Sequence, residues 1–281
     1  MHGMTDLGAR PRAGTEQQSF EHRGHGVRVS CVIPTLNEAE NISWVLERIP
    51  AVVDEVLVVD GRSTDGTVAE ARRARPDVRV IDERRPGKGT ALRAGFAAAR
   101  GDFIVMIDAD GSMHPAEIDR YVAQLQDRRR PEHPGTCQFV KGTRFAAGGQ
   151  SVDISVIRHA GNDVLRRIVN GLYGVRFTDL CYGLCAFRRD SLQALGLTAD
   201  GFEIETEIAV RAVKAGLRIG EVPSFERSRL SGDSNLSAWR DGRRVLRTLV
   251  RERFTLPPRA FAAPTEHLAL EVGIALKEVH A

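Results

Sequence analysis

The chain has 281 residues, a formal net charge of +3 and 42% apolar residues, which fits a globular protein of one large domain or two small ones. The small net charge gives no reason to expect a nucleic-acid partner. Four cysteines are too few for a disulfide framework in a chain of this length, and no apolar run reaches the length of a membrane span. Because the N-terminus also lacks the apolar segment of a signal peptide, we expect a cytoplasmic protein.

The first half of the chain alternates between strand and helix patterns. Residues 1–26 are rich in Gly, Arg, His and Gln and predict a disordered leader. Beyond them, period-2 and helical spacings of apolar residues take turns, which predicts strands at 27–33, 55–59, 78–82 and 102–110 and helices at 42–49, 65–74, 87–100 and 115–129. Such alternation is typical of an α/β domain with a mainly parallel sheet and helices on both faces.

The second half is less regular. A polar loop broken by prolines is expected at 128–136. Beyond it the apolar spacing predicts a strand at 139–145, helices at 157–173 and 203–215, a strand at 218–223 and a helix at 236–254. We therefore predict one domain over residues 27–235 and a helical C-terminal extension over 236–281. Cys181 and Cys185 lack a second pair of ligands nearby, so their spacing does not predict a zinc site.

Polar residues follow three of the predicted parallel strands, where ligands of such sheets bind. The stretch "DAD" brings Asp108 and Asp110 together, and two ionised carboxylates so close repel each other. A divalent cation removes this repulsion, and Mg²⁺ or Mn²⁺ typically takes one or two carboxylates plus phosphate oxygens. The pair therefore predicts a metal site, the alternative being a solvated turn.

The stretch "RRPGKGTAL" is a second candidate for anion binding. It is neither a Walker A loop nor a dinucleotide-binding turn, because Gly89 and Leu92 stand where those motifs need other residues. Gly87, Lys88 and Gly89 nevertheless open a predicted helix, whose backbone N–H groups and one cation could face an anion. A flexible capping loop is the alternative.

Five motifs in this order resemble the family 2 nucleotide-sugar glycosyltransferases of the GT-A fold. They are "VIPTLNEAENI", "VVDGRSTDGT", "GKGTALRAGF", "MIDADGSMHP" and "VKGTRF". The likeness is greatest to the polyprenyl-phosphate (dolichyl-phosphate) mannosyl- and glucosyltransferase branch, and it covers roughly residues 27–235.

The resemblance implies roles for residues at the donor side. Pro34, Thr35 and Glu38 would line the nucleoside pocket, Asp60 would contact the base or ribose, and Gly61 and Ser63 would shape that turn. Lys88 would face the nucleotide, Asp108 and Asp110 would hold the metal ion, and Arg144 would reach a phosphate.

The resemblance is looser at the acceptor side. Gly183 and Arg188 match the acceptor-loop segment, and Arg229, Gly232 and Ser234 match a further segment. Glu207 matches the position of a helix that is usually acidic and lies near the transferred sugar, and Glu205 lies one helical step away. The alternative is that both are ordinary solvated glutamates. Asn235 replaces a lysine of the family there, and Ser112 stands where the lipid-phosphate enzymes often carry a different polar residue. Both departures weaken the case for a lipid-phosphate acceptor more than the case for a glycosyltransferase.

The resemblance thus implies metal-dependent, inverting transfer of a sugar from a GDP- or UDP-linked donor to polyprenyl phosphate. A soluble hydroxyl acceptor, a non-catalytic nucleotide-sugar-binding module and a sugar-1-phosphate nucleotidyltransferase are the alternatives. With a hydroxyl acceptor, Glu205 or Glu207 would act as the base. In the helix at 236–254, Leu246, Leu249, Val250 and Phe254 share one face, whereas Arg240, Arg243, Arg244, Arg247 and Arg251 fall largely on another. This predicts either docking on an anionic membrane or a solvated surface helix.

Overall fold

The fold is built on a seven-stranded mixed sheet. The computed structural model describes residues 26–127, 136–233 and 237–255. The strands are β1 (Val29–Thr35), β2 (Glu55–Asp60), β3 (Arg79–Asp82), β4 (Phe103–Met106), β5 (Phe139–Thr143), β6 (Gln150–Ser151), β7 (Cys185–Arg188), β8 (Ile219–Pro223) and β9 (Phe225–Glu226). The large sheet has the order β3-β2-β1-β4-β7-β5-β8, and β6 pairs with β9 separately. Only β7 runs antiparallel to its neighbours in the large sheet, so the predicted mainly parallel sheet is confirmed.

Helices cover both faces of this sheet. They are α1 (Ala39–Glu47), α2 (Thr67–Ala74), α3 (Lys88–Ala98), α4 (Ile118–Gln126), α5 (Val156–Tyr173), α6 (Leu192–Leu195), α7 (Ile204–Lys214) and α8 (Ala238–Phe254). On one face, Val32 and Val59 pack with α3, α5, α7 and α8. On the other, Cys31 and Val58 pack with α1, α2 and α4. Successive strand residues thus enter opposite cores, as the period-2 geometry of a strand requires.

The carboxyl ends of β2, β1 and β4 lie side by side at one edge of the sheet. Pro34 lies within β1 rather than ending it. Strand β4 ends at Met106, so Asp108 and Asp110 belong to the loop that follows and not to the strand end that we predicted. Strand alternation therefore does not explain why the two carboxylates converge; the turn after β4 does.

The C-terminal helix α8 is packed on the domain against α5 and α7. Val245 and Leu249 are buried in the core, whereas Leu246, Val250 and Phe254 are exposed. The apolar face predicted from the sequence is thus divided, because the buried side of the helix is centred on Val245 and Leu249. Among the described residues, no helix has the length and apolar character needed to pass through a membrane.

Some predictions fall outside the described residues. These are nearly all of the leader at 1–26, most of the loop at 128–136, Ser234 with Asn235, and the chain after residue 255.

Candidate active site

A cavity of about 560 Å³ opens at the carboxyl ends of β1, β2 and β4. It collects most of the predicted site residues: Pro34, Thr35, Glu38, Gly61, Lys88, Asp108, Asp110, Arg144, Gly183, Glu205 and Arg229. They come from segments far apart in the sequence, and the sheet brings their loops to one edge.

Lys88 joins two carboxylates at the floor of the cavity. Its Nζ lies 2.6 Å from Asp108 Oδ1 and 2.7 Å from Glu205 Oε1. Burial alone lowers the pKa of Lys88, but the charges of Asp108 and Glu205 outweigh it and hold that pKa above its ordinary value. Lys88 therefore stays charged and fixes the distance between the loop after β4 and the first turn of α7.

Asp108 is crowded by negative charge. Burial raises its pKa to about 6; Lys88 opposes the shift, while Glu205 and Asp110 add to it. The carboxylates of this region therefore exceed the local cations, and a positive charge placed among them would relieve the repulsion.

Arg229 closes the other side of the carboxylate pair. Its Nη2 donates to both oxygens of Glu38 at 2.9 and 3.2 Å, and its Nη1 lies 3.8 Å from Asp110 Oδ2. Burial raises the pKa of Glu38, with Asn41 and Arg229 opposing the shift. The loop that carries Arg229 is thereby tied to both the nucleoside side and the metal side of the predicted site.

Gly183 brings the backbone close to the carboxylates. A Cβ at this position would lie 2.9 Å from Asp108 Oδ2 and 3.1 Å from Glu205 Oε1. Lys141, which is buried, donates from Nζ to the carbonyl of Tyr182 at 3.0 Å and so holds the preceding residue in place. The glycine thus keeps open the space in front of Asp108.

Arg144 lines the cavity, but carboxylates already occupy its guanidinium. It donates to both oxygens of Asp179 at 2.7 and 3.1 Å and to both oxygens of Glu226 at 3.1 Å. Burial alone lowers the pKa of Arg144, but Asp179 and Glu226 raise it above its ordinary value. In this arrangement Arg144 connects the end of β5 with β9, and four of its five side-chain N–H groups are committed to these carboxylates.

The turn after β2 is built by side-chain caps. Asp60 Oδ2 accepts from Ser63 N at 3.0 Å, and Ser63 Oγ accepts from Asn37 N at 2.9 Å. Asn37 Oδ1 in turn accepts from Thr64 N at 2.9 Å. Asp60 and Ser63 therefore shape the turn and do not line the cavity, while Gly61 does.

The N-terminus of α3 is occupied by another part of the chain. The N–H groups of Gly89 and Thr90 donate to the carbonyl of Asp200 at 2.9 and 3.3 Å. A Cβ on Gly87 would lie 2.0 Å from that oxygen. The predicted use of these backbone N–H groups for an anion is therefore wrong for this arrangement: the glycines allow the loop before α7 to pack closely. The cation of Lys88 remains in the cavity, where Pro86 and Gly87 contribute uncharged lining.

Besides Asp60 and Ser63, two further predicted residues, Glu207 and Arg188, do not line the cavity. Glu207 is fully buried and accepts hydrogen bonds from Thr198 and Ala199 at 2.7 to 2.9 Å, and it pairs with Arg211 at 3.0 Å. Arg188 ends the antiparallel strand β7, opposite Phe103 at the start of β4, and so lies at the other edge of the sheet. The geometry thus corrects both assignments: Glu207 organises the loop before α7, and Arg188 lies too far from the site to bind substrate there.

Sequence reasoning missed several residues of the site. Arg62, Asn162, Phe202 and Glu226 all line the cavity. Phe202 lies against Lys88, whose Nζ is 5.6 Å from the ring centroid. Arg62 stands inside the quoted motif "VVDGRSTDGT", and Phe202 and Glu226 each lie three residues before a predicted site residue, Glu205 and Arg229, whereas nothing local marks Asn162 as a site residue.

The lining of the cavity carries more negative than positive charge. In the described part of the chain it includes seven acidic side chains, Glu38, Asp108, Asp110, Asp153, Glu205, Glu226 and Asp241, and five basic ones, Arg62, Lys88, Arg144, Arg158 and Arg229. Across the same residues no three His, Cys, Asp or Glu side chains form a ready metal centre. A cation at Asp108 and Asp110 would therefore need oxygen ligands from a bound substrate.

The far wall of the cavity is formed by α5 and α8. Ile157, Leu165 and Val245 contribute apolar surface there, and Trp239 stands at the mouth. Ile157 is 76% exposed and Trp239 is 85% exposed, so this apolar wall continues onto the outer surface of the protein.

Comparison with known proteins identifies the family. The model of the family "Glycosyl transferase family 2" matches residues 30–196, which include all but the first residue of β1, the strands β2 to β4 and the two aspartates. The chain belongs to Glycosyl transferase family 2. The predicted family is thereby confirmed, the chain is a glycosyltransferase, and the nucleotidyltransferase alternative has no support.

Individual relatives of this family 2 chain include two from prokaryotic sources. Glycosyltransferase AglJ of Haloferax volcanii is 32% identical over 253 residues, covering 88% of this chain and 79% of that protein. The undecaprenyl-phosphate mannosyltransferase of Micrococcus luteus is 35% identical over 227 residues, covering 75% of this chain and 88% of that protein.

Solved structures support the predicted GT-A fold. Glucosyl-3-phosphoglycerate synthase from Mycobacterium tuberculosis, crystallised with Mn²⁺, UDP-glucose and phosphoglyceric acid, superimposes with a TM-score of 0.65 at 26% identity. The match covers 81% of this chain and 80% of that one. The fold prediction is confirmed. The names of these relatives imply two different acceptors, a lipid phosphate for the Micrococcus luteus enzyme and phosphoglyceric acid for the Mycobacterium tuberculosis enzyme.

Proposed function

We propose that this family 2 glycosyltransferase transfers a sugar from a nucleoside diphosphate sugar to a polyprenyl phosphate at a membrane surface, with a divalent cation at Asp108 and Asp110. The observation that carries the proposal is the cavity itself. It joins a carboxylate pair at the sheet edge to an apolar wall between α5 and α8 that reaches the protein surface.

The donor side requires a cation for electrostatic reasons. A nucleoside diphosphate sugar is an anion, and the cavity lining already has an excess of carboxylates. Asp108 and Asp110 offer the oxygen ligands that Mg²⁺ and Mn²⁺ prefer, and the negative charges of Glu205 and Asp110 add to the rise that burial causes in the pKa of Asp108. When bound, such a cation stabilises the negative charge that develops on the leaving diphosphate. Structural relatives crystallised with UDP and Mn²⁺ or Mg²⁺ support this assignment.

The chain's own residues hold the reacting groups. In the transfer, an acceptor oxygen forms a bond to the anomeric carbon while the bond from that carbon to the diphosphate oxygen breaks, so the nucleoside diphosphate leaves and the configuration inverts. Lys88 lies between Asp108 and Glu205 and can donate to an oxygen of the leaving group. Gly183 leaves the space in front of Asp108 free for it.

A lipid phosphate acceptor agrees with the far side of the cavity. A phosphate monoester has a second pKa of about 6, so it is largely ionised at neutral pH and needs no base. The apolar wall with Ile157, Leu165 and Val245 suits a hydrocarbon chain better than a sugar or a small polar metabolite. The undecaprenyl-phosphate mannosyltransferase among the relatives supports the same acceptor class.

A soluble hydroxyl acceptor is the second candidate. The structural relative glucosyl-3-phosphoglycerate synthase supports it, as does Glu205, which lies in the cavity and could accept a proton from a hydroxyl. The two candidates differ in their need for a base, so a Glu205→Gln variant should lose most of its turnover with a hydroxyl acceptor and retain much more with a phosphate acceptor.

Asp110→Asn provides the first test of the proposal. The substitution keeps the shape of the side chain but removes a charge next to Asp108, so turnover of radiolabelled donor with a polyprenyl phosphate should fall by about 10²-fold or more. Treating the wild type with a chelator should have the same effect, and added Mn²⁺ or Mg²⁺ should reverse it.

Asp190→Asn serves as the control, because Asp190 is an exposed carboxylate near Arg188 at the opposite sheet edge. Full wild-type activity in excess chelator would remove the metal from the proposal. Transfer to a hydroxyl acceptor with none to polyprenyl phosphate would leave the donor half intact and replace the acceptor.

A further inference from the structure

We propose that Arg62 is the residue that reads the nucleobase of the donor and that it selects guanine over uracil; this inference rests on the proposed function. Arg62 follows β2 and lines the cavity, and none of the roles assigned above involves it.

Its place in the fold puts Arg62 at the nucleoside end of the cavity. β2 and β4 are separated by β1, so their carboxyl ends lie two strand spacings, or about 10 Å, apart. If the diphosphate lies at Asp108 and Asp110 after β4, the ribose extends across β1 and the base arrives near the turn after β2. The charge of Arg62 is thus directed at the base rather than at the diphosphate.

The backbone at Arg62 is held in an unfavourable conformation. Its φ is +71°, in the left-handed region where residues other than glycine are strained. The flanking residues are fixed: Gly61 N donates to Thr35 O at 2.8 Å, and Ser63 N donates to Asp60 at 3.0 Å. A turn that keeps an arginine where glycine would fit better is consistent with a use for that side chain.

Arg62 also differs from the other cations of the cavity. Lys88, Arg144, Arg158 and Arg229 each have a carboxylate partner within 4 Å. Of the basic side chains lining the cavity within the described ranges, Arg62 is the one for which no such partner is found. Its five N–H donors are therefore available to a ligand at no cost in broken ion pairs.

The donor pattern of a guanidinium matches one base best. Guanine presents two neighbouring acceptors, O6 and N7, to which an arginine can donate with both arms of its fork. A uracil ring offers one carbonyl on its corresponding edge, and adenine pairs an acceptor with an N–H donor, which repels the fork. Discrimination by such a bidentate contact is worth roughly 5- to 150-fold in affinity.

Calorimetric titration with GDP, IDP, UDP and ADP in the presence of Mn²⁺ tests the inference. IDP keeps O6 and N7 but lacks the 2-amino group of guanine, so it isolates the proposed contact. We expect the wild type to bind GDP and IDP at least fivefold more tightly than UDP and ADP. In Arg62→Gly and Arg62→Ala this preference should disappear through weaker GDP and IDP binding, with UDP binding changed less than threefold.

Three further variants and a stability measurement make the result interpretable. Arg62→Lys keeps the charge without the fork and should lose most of the preference. Arg84→Ala removes an exposed arginine outside the cavity and should bind all four nucleotides as the wild type does. Arg62→Gly should melt at the same temperature as the wild type or above it, because glycine relieves the positive φ.

Each other outcome overturns the inference. Tighter binding of UDP than GDP by the wild type would do so, and an equal loss of GDP and UDP in Arg62→Gly would show contact with the phosphates instead. Transfer from a UDP-sugar by an enzyme that ignores GDP would refute the base selection while leaving the proposed function intact. Failure to bind any nucleoside diphosphate would refute both.

Discussion

At the scale of single residues, Gly183 shows how little free space the reacting groups have. The chain passes in front of Asp108 and Glu205 so closely that a methyl group would touch a carboxylate of each and the terminal methyl of Met113, 3.0 Å away. Both carboxylates are in turn held by Lys88. Any group added at residue 183 must therefore displace either these side chains or the substrate.

Gly183→Ala should accordingly impair the reaction more than the fold. We expect turnover to fall by about 10²-fold, because a displacement of the order of 1 Å at a reacting centre has that effect. The melting temperature should change by only a few degrees. Gly171→Ala on α5 is the matched control, since a Cβ there meets nothing within 4 Å. A fully active Gly183→Ala enzyme would mean that the sugar and diphosphate bind elsewhere in the cavity.

The residue scale also shows where the sequence is informative. The two aspartates and Lys88 were predicted from motifs in which the residue types themselves carry the chemistry, and all three line the cavity. Glu205 and Glu207 could not be separated in this way. They are two residues apart on α7 and so face different directions, and only the packing of that helix decides which of them reaches the cavity.

At the scale of elements, the direction of a strand decides which of its ends carries function. β7 runs opposite to its neighbours, so Arg188 at its carboxyl end lies at the edge of the sheet away from the cavity. The segment that precedes β7, with Gly183, lies at the edge that carries the cavity. The alternating pattern of the first half predicted parallel strands correctly. The irregular second half has no repeating pattern from which the reversal of β7 could be inferred.

Glu252 is a buried carboxylate at the junction between α7 and α8, where Glu207 also pairs with Arg251 at 3.3 Å. Glu252 is 1% exposed and lies 2.9 Å from Arg211 Nη2 and 3.0 Å from Lys214 Nζ. Burial alone raises its pKa, but the two cations outweigh burial and lower it to about 2. Because the pKa is lowered in the folded state, Glu252 stabilises the fold above its ordinary value of 4.5, and this stabilisation is lost as the pH falls towards 2.

Glu252→Gln should therefore destabilise the protein in a pH-dependent way. At pH 7 we expect the free energy of unfolding to fall by about 1–3 kcal/mol, since a buried charged hydrogen-bond partner is lost. The difference from the wild type should shrink below pH 4.5, as measured by urea unfolding between pH 7 and pH 3. Glu47→Gln, which removes a half-exposed partner of Arg48, should cost less than about 1 kcal/mol. A constant difference across this range would contradict the assigned role.

At the scale of the whole molecule, the mouth of the cavity and the outer side of α8 form one surface. Trp239 and Ile157 are exposed beside the mouth, and Leu246, Val250 and Phe254 continue the apolar surface along α8. Arg243 and Arg247 are exposed among them, and within the described residues neither has a carboxylate partner. Apolar side chains mixed with free cations suit the headgroup region of an anionic bilayer.

Sedimentation with liposomes tests this surface. The wild type should bind vesicles that contain anionic lipid at low salt and leave them at high salt, because each basic residue contributes about 1 kcal/mol and the attraction is screened. The double variant Arg243→Glu/Arg247→Glu should bind at least tenfold more weakly. Transfer to a long-chain polyprenyl phosphate in vesicles should slow, while transfer to a short, water-soluble analogue should continue.

The control for net charge is Arg72→Glu/Arg84→Glu, which changes the charge equally at exposed sites on α2 and after β3. Equal loss of vesicle binding in this control would attribute the effect to overall charge and not to the surface on α8. If the wild type binds vesicles that contain only neutral lipid, the binding is due to the apolar side chains and not to the arginines.

The excess of carboxylates around the cavity has a kinetic consequence. A lining with seven acidic and five basic side chains cannot draw an anionic donor in from a distance, and a donor already neutralised by a dication experiences little force from it. The rate of donor capture should thus be nearly independent of ionic strength, in contrast to the vesicle binding that we propose for the outer surface of α8. At high ionic strength the protein should therefore still capture its donor but should no longer bind anionic vesicles.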